Sequence, residues 1–220
     1  MVSANDPKRS LRQWYNFTMS KYLVFISILL ISNSVRSTTL PQLEIDQLYE
    51  NAEVVAIIEI TQGRQIEIED NYLCASEYQS RVLESLKGDI KKDSMLKFGP
   101  YSGRKLGGVY LVFLSKKDSV YEPVMSSNSV KMNAKFEHFK KCNEYIPELH
   151  EMFHGVSTLE VSWTTKFNYE EAVKFPEEFI TPPNGLEKKL VESGDNEIKT
   201  AEYWVKAKEV VSYLRSLESP

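Results

Sequence analysis

Two of the three histidines in this chain stand four residues apart, in His150-Glu151-Met152-Phe153-His154. On a helix that spacing puts both imidazoles on one face. There they can share a Zn²⁺ while the glutamate polarises a bound water, as in H-E-x-x-H hydrolases. Glu170 or Glu171 downstream would offer a carboxylate as third ligand. Pro147 and Gly155 bracket the motif, so its helix would run about two turns from a starting proline to a terminating glycine. Zinc-hydrolase helices are longer and lie deep in a cleft, and Glu148 charges a position that the extended motif leaves uncharged. The competing reading is a short surface helix near residues 147–154. Its Leu149 and Phe153 would pack inward while His150 and His154 stay solvated, with no metal and no cofactor. We expect the second, with zinc hydrolysis as the alternative.

The other reactive pair is Cys74 and Cys142, the two cysteines of the chain. In an exported protein such a pair closes a disulfide, whereas two buried thiols are the expectation for a reducing compartment. Residues 22–31 decide between these. Tyr22-Leu23-Val24-Phe25-Ile26-Ser27-Ile28-Leu29-Leu30-Ile31 is an apolar run with basic residues before it and Val35-Arg36-Ser37 after it. As a helix it would span about 15 Å, half of a bilayer core. Residues 1–37 therefore read as a secretory signal cleaved near Ser37-Thr38, with Met19 as a possible true start and an uncleaved anchor as the alternative. The expected destination is periplasmic or secreted, with any membrane contact made through an uncleaved signal segment.

Composition is that of a globular protein, 42% apolar and 26% charged. Without residues 1–37 the chain holds 22 basic and 30 acidic side chains, a charge near −8 that argues against nucleic acid as partner. The basic group Lys131, Lys135, Lys140 and Lys141 reads as a solvated helix face. No Ser/His/Asp set, phosphate loop or haem motif stands out, and no internal repeat.

The elements that must position these residues are mostly strands. Glu53–Ile60 continues past Gly63 into Gln65–Glu69. Tyr78–Leu86 closes on Lys87-Gly88, Ser94–Phe98 stops at Gly99-Pro100, and Val109–Leu114 follows Gly107-Gly108. β-Branched and aromatic runs punctuated by Gly, Pro and Asp at this spacing predict a small barrel or sandwich. Apolar residues fill both faces of residues 54–60, so that half is buried on both sides, and Gly63 marks a bend or bulge. Leu43–Asn51 reads as a short lead-in helix burying Leu43, Ile45 and Leu48. The segment 115–133 is polar. Ser157–Lys166 alternates and is expected as the fifth strand. Residues 169–194, rich in Pro and charge, are expected to wrap the surface. Residues 196–217 read as a helix with Trp204, Ala207, Val211, Leu214 and Leu217 in one stripe.

The runs Asn51–Ile58, Tyr78–Gly88 and Gly108–Leu114, in that order and with the Lys87-Gly88 turn, resemble the netrin-like and tissue-inhibitor-of-metalloproteinases family, especially its small exported bacterial relatives. The resemblance covers about 65 residues. It implies an α+β fold, mainly β: a five-stranded OB-type barrel with a lead-in helix and a C-terminal helix. Residues 38–166 would form the barrel domain, and 167–220 an extension with helix 196–217 packed on it. The animal inhibitors place a mature N-terminal cysteine on the catalytic zinc. Here the expected start is Thr38 with no cysteine beside it, so the barrel carries over and the inhibition does not. The resulting expectation is an exported, non-enzymatic OB-fold module that binds a protein or glycan partner.

Overall fold

The computed structural model describes residues 43–68, 72–101, 104–117, 120–124, 142, 157–177, 179–194 and 199–218. The expected signal segment and the helix expected near 147–154 lie outside them. The barrel is built from β2 (Val54–Ile68), β3 (Tyr72–Lys87), β4 (Met95–Tyr101), β5 (Val109–Lys117) and β6 (Val120–Pro123). The ring runs β2-β3-β4-β6-β5 and back to β2. Every pairing is antiparallel except β4 with β6, which meet in parallel at Phe98 and Tyr121. This is a closed five-stranded barrel of OB type, and the four expected strands are all in it.

The fifth is a correction. The barrel closes through Val120–Pro123, inside the polar stretch, and not through Ser157–Lys166. Thr158–Thr164 is a strand, β7, but it pairs with the outer edge of β5, from Val109–Val161 to Val112–Thr158. Along that edge β5 serves β7 over residues 109–112 and β6 over residues 114–117. The branch falls at Phe113, whose N–H donates to Ser157 O at 2.8 Å and whose carbonyl accepts from Val124 N at 2.9 Å. The Ser157 hydroxyl donates to Val124 O, tying the two diverging strands.

Beyond β7 the sheet continues, which corrects two further expectations. Residues 169–194 do not merely wrap the surface. They contribute β8 (Glu170–Pro176) and β10 (Lys188–Gly194), with the two-residue β9 (Ile180–Thr181) between them pairing in parallel with β1 (Leu43–Glu44). Ala172, Val173 and Phe175 are fully buried in β8, so charge and proline at its ends had concealed a core strand. Nor is 196–217 one helix. Lys199–Lys206 is β11, lying between β8 and β10, and the helix α2 is confined to Ala207–Ser216. Thr200, Glu202, Trp204 and Lys206 alternate with Ala201, Tyr203 and Val205, a period of two that pairs with both neighbours. In α2 the buried positions are Ala207, Val210, Val211 and Leu214, the spacing of a one-sided helix.

β2 and β5 separate two apolar cores. Val54, Ala56, Ile58 and Ile60 fill the barrel with Tyr78, Val82, Phe98, Tyr110, Val112 and Leu114. Val55, Leu111 and Phe113 face the other way, into a core shared with the extension strands and the helices. The lead-in helix α1 (Ile45–Asn51) lies there, with Leu43, Ile45 and Leu48 buried as expected.

Lys87 and Gly88 join α1 to the barrel. The Lys87 ammonium donates to the carbonyls of Tyr49 (2.6 Å) and Glu50 (3.3 Å), orphan acceptors at the C-terminal end of α1 where a cation also suits the helix dipole. Gly88 has φ +88°, and a Cβ there would stand 2.4 Å from Glu53 O. The two helices are tied by the Tyr213 hydroxyl, which donates to Asp46 Oδ1 at 2.6 Å. This bond, then burial, pushes the Tyr213 pKa up to about 12; burial, then the Glu218 charge, does the same for Tyr49. Both shifts favour the neutral phenol in the folded chain. Their contribution is complete below pH 10, where an unfolded tyrosine is also protonated, and is lost as pH rises through 12. Melting temperature should therefore fall between pH 10 and 12, and less steeply in Tyr213→Phe. Equal slopes for the two proteins would remove the Asp46 bond from the account.

Candidate functional site

The His150-Glu151-His154 motif lies outside the described residues. Its proposed carboxylate partners do not. Glu170 sits on β8 with Oε2 2.5 Å from Lys208 Nζ and Oε1 3.6 Å from Lys206 Nζ. The Lys208 hydrogen bond, with help from Lys206, holds its carboxyl below the usual range. Glu171 is exposed opposite Trp163. Among the described residues no group of three or more His, Cys, Asp and Glu side chains is placed to hold a metal.

Cys74 and Cys142 form a disulfide, with Cα atoms 5.4 Å apart. Cys74 is near the start of β3 and is 8% exposed; Cys142 is wholly buried. Its chemistry is structural: it closes the chain onto the barrel strand.

The chemically suggestive surface is one that no sequence motif announced. On the barrel wall Gln62, Gly63 and Arg64 of β2, Glu77, Tyr78 and Gln79 of β3, and Lys97 and Phe98 of β4 line a hollow of about 310 Å³. Both ladders of β3 slip beside it: toward β2 between Ser80 and Gln79, where Thr61 is the extra residue, and, a few residues away, toward β4 between Tyr78 and Ser76. A register shift inserts an unpaired residue and bends the wall outward. The polar interruption Thr61-Gln62-Gly63-Arg64-Gln65 was the available signal, read in the sequence as a bend or bulge at Gly63.

Deep in the hollow, Tyr78 and Phe98 lie across from each other with ring centroids 5.5 Å apart. The loop after β4 braces Tyr78 and, on β5, Tyr110: Arg104 N donates to Tyr78 Oη at 3.2 Å and Lys105 N to Tyr110 Oη at 3.1 Å. The Arg104 side chain reaches across to Thr158 on β7, with Nη2 2.6 Å from its Oγ1 and 3.1 Å from its carbonyl. At the rim Arg64 and Glu77 face each other across the ladder and pair at 2.5 Å. Exposed pairs of this kind add little stability. Their effect here is to hold a guanidinium and a carboxylate side by side at the mouth. A second pair, Arg81 with Glu59 at 2.6 Å, continues the row, and Glu59 raises the Arg81 pKa further. Lys97 is exposed opposite Gln79. Exposed apolar groups flank the mouth: Met95, two residues from Lys97 on the same strand face, and Leu106.

The arrangement offers planar amide and guanidinium donors, one carboxylate, an ammonium and an aromatic floor. These groups bind by hydrogen bonding and charge, with Tyr78 and Phe98 buried beneath them, and they include no nucleophile activated by a base. When compared with known protein families and with curated proteins, the chain matches none.

Proposed function

We propose that residues 1–37 direct export and that the mature chain is a non-enzymatic binding module of the netrin-like, TIMP-like kind, taking a glycan or protein partner at the hollow on β2, β3 and β4. One observation carries the reading: the wall opens where both ladders of β3 slip, and the rim groups there are polar and accessible. OB barrels bind oligosaccharides and oligonucleotides on the face of their second and third strands, which here are β3 and β4. The rim carries Arg64, Lys97 and Glu77, a local charge of opposite sign to the acidic chain, so an acidic group on the partner is favoured. The chain's own negative charge disfavours nucleic acid. The disulfide supports an oxidising destination, periplasmic or secreted.

The rim cations provide the test. Arg64 and Lys97 are both exposed, so reversing either charge changes the mouth of the hollow without entering the barrel interior. The exported protein is screened against arrayed glycans and cross-linked in its native envelope or secreted fraction. Each partner found is then measured against Arg64→Glu and Lys97→Glu. Affinity should fall about tenfold or more in each, with melting temperature unchanged. Full affinity in both variants would take the hollow out of the function. Stoichiometric zinc in the purified protein, lost in His150→Ala/His154→Ala, would replace the binding module with the hydrolase.

A further inference from the structure

β10 is the outermost strand of the extension. It pairs with β11 on one side and, among the described residues, has no strand on the other. An open edge presents a row of unpaired N–H and C=O groups that another strand can complete. We propose that a second copy of this chain completes it, antiparallel, in the register centred on Leu190.

The side chains select both the partner and the register. Lys188, Leu190 and Glu192 project from one face of β10, and all three are exposed, Leu190 to 49%. In a symmetric antiparallel pair the two-fold axis stands perpendicular to the sheet, so the central residue lies opposite itself. Centring on 189 would set Lys189 against Lys189. Centring on 191 would set Leu190 against Glu192 twice. Centring on 190 sets Leu190 against Leu190 and Lys188 against Glu192 on both sides, an apolar contact between two opposite-charge pairs. Lysines on an edge strand ordinarily guard it against pairing. A glutamate four residues after Lys188 turns that guard into a selector for this same sequence running the other way.

The neighbouring strand extends the match. Tyr203 of β11 lies directly beside Leu190 and packs in part against the core below. Pairing would join Tyr203, Leu190 and their symmetry mates into one apolar band across the two-fold. Two seven-residue strands make a small interface, below about 1,200 Å², so the dimer is weak and depends on concentration. It uses no residue of the barrel hollow.

Sedimentation velocity on the exported protein, up to roughly 500 µM because interfaces this small bind weakly, tests the pairing. The expected mass rises with concentration toward twice that of the chain. Glu192→Lys and Lys188→Glu should each stay monomeric, since each sets like charges opposite one another twice, and the Lys188→Glu/Glu192→Lys double variant should recover the dimer. Lys188 also lies over the Tyr203 ring, 5.1 Å from its centroid. If Lys188→Glu melts early, Glu192→Lys alone decides. A wild-type monomer at every concentration, a dimer that survives Glu192→Lys, or a double variant that stays monomeric would each overturn the proposal.

Discussion

Alanine at position 88 should cost the fold about 3–5 kcal/mol, as much as emptying a core position. Gly88 ends β3 with φ +88°, where an L side chain alone adds about 1–2 kcal/mol. Its new methyl would stand 2.4 Å from Glu53 O and 3.3 Å from Val54 Cα, both backbone atoms at the start of β2 that no rotamer change can move aside. Relief requires shifting β2 away from Lys87, and with it the ammonium that completes α1. Gly107 and Gly185 are the internal controls, at φ +73° and +83° with nothing within 4 Å of an added Cβ. Alanine there should cost only that conformational part, about 1–2 kcal/mol each. Urea midpoints of the three variants make the comparison, and a Gly88→Ala no worse than Gly107→Ala would refute the clash.

Cys74→Ser/Cys142→Ser should be the other severe change. The bond joins residues 68 apart. On the chain-entropy account, opening so long a loop returns about 4 kcal/mol of freedom to the unfolded chain. For a protein of this size that lowers the melting temperature by roughly 10 °C. Unreduced protein should also run two hydrogens light in the mass spectrometer. Two thiols that alkylate in freshly exported, denatured protein would contradict the bond, and with it the support it lends to export.

The barrel strands were legible because each carries its own signature: apolar residues on both faces in β2 and β5, alternation in β3, and a Gly or Pro at the ends. β6 was not, because four residues, Val120-Tyr121-Glu122-Pro123, among polar neighbours leave no periodicity to detect. The extension strands were hidden for a different reason. Their edge lysines and glutamates are the side chains that keep a sheet margin soluble, so they read as surface. In 199–217 the stripe Ala207, Val211 and Leu214 was genuine, and extending it back to Trp204 merged a strand with the helix that follows. The disulfide followed from a count of two cysteines and a leader-like N-terminus. The hollow could not be found in that way, because it lies where two ladders slip within a few residues of each other, a relation among three strands that none of them records alone.

β5 belongs to the barrel and to the extension together, and β2 beside it faces both cores. Neither body can therefore come apart while the other stays whole: drawing β5 out of one removes Tyr110, Val112 and Leu114 from the barrel and Leu111 and Phe113 from the outer core in the same motion. The unfolding of the barrel and of the extension strands is then a single event. Amide hydrogens in the middle of β2 and β5 have no local opening through which to exchange with solvent, and their protection measures the free energy of the whole fold.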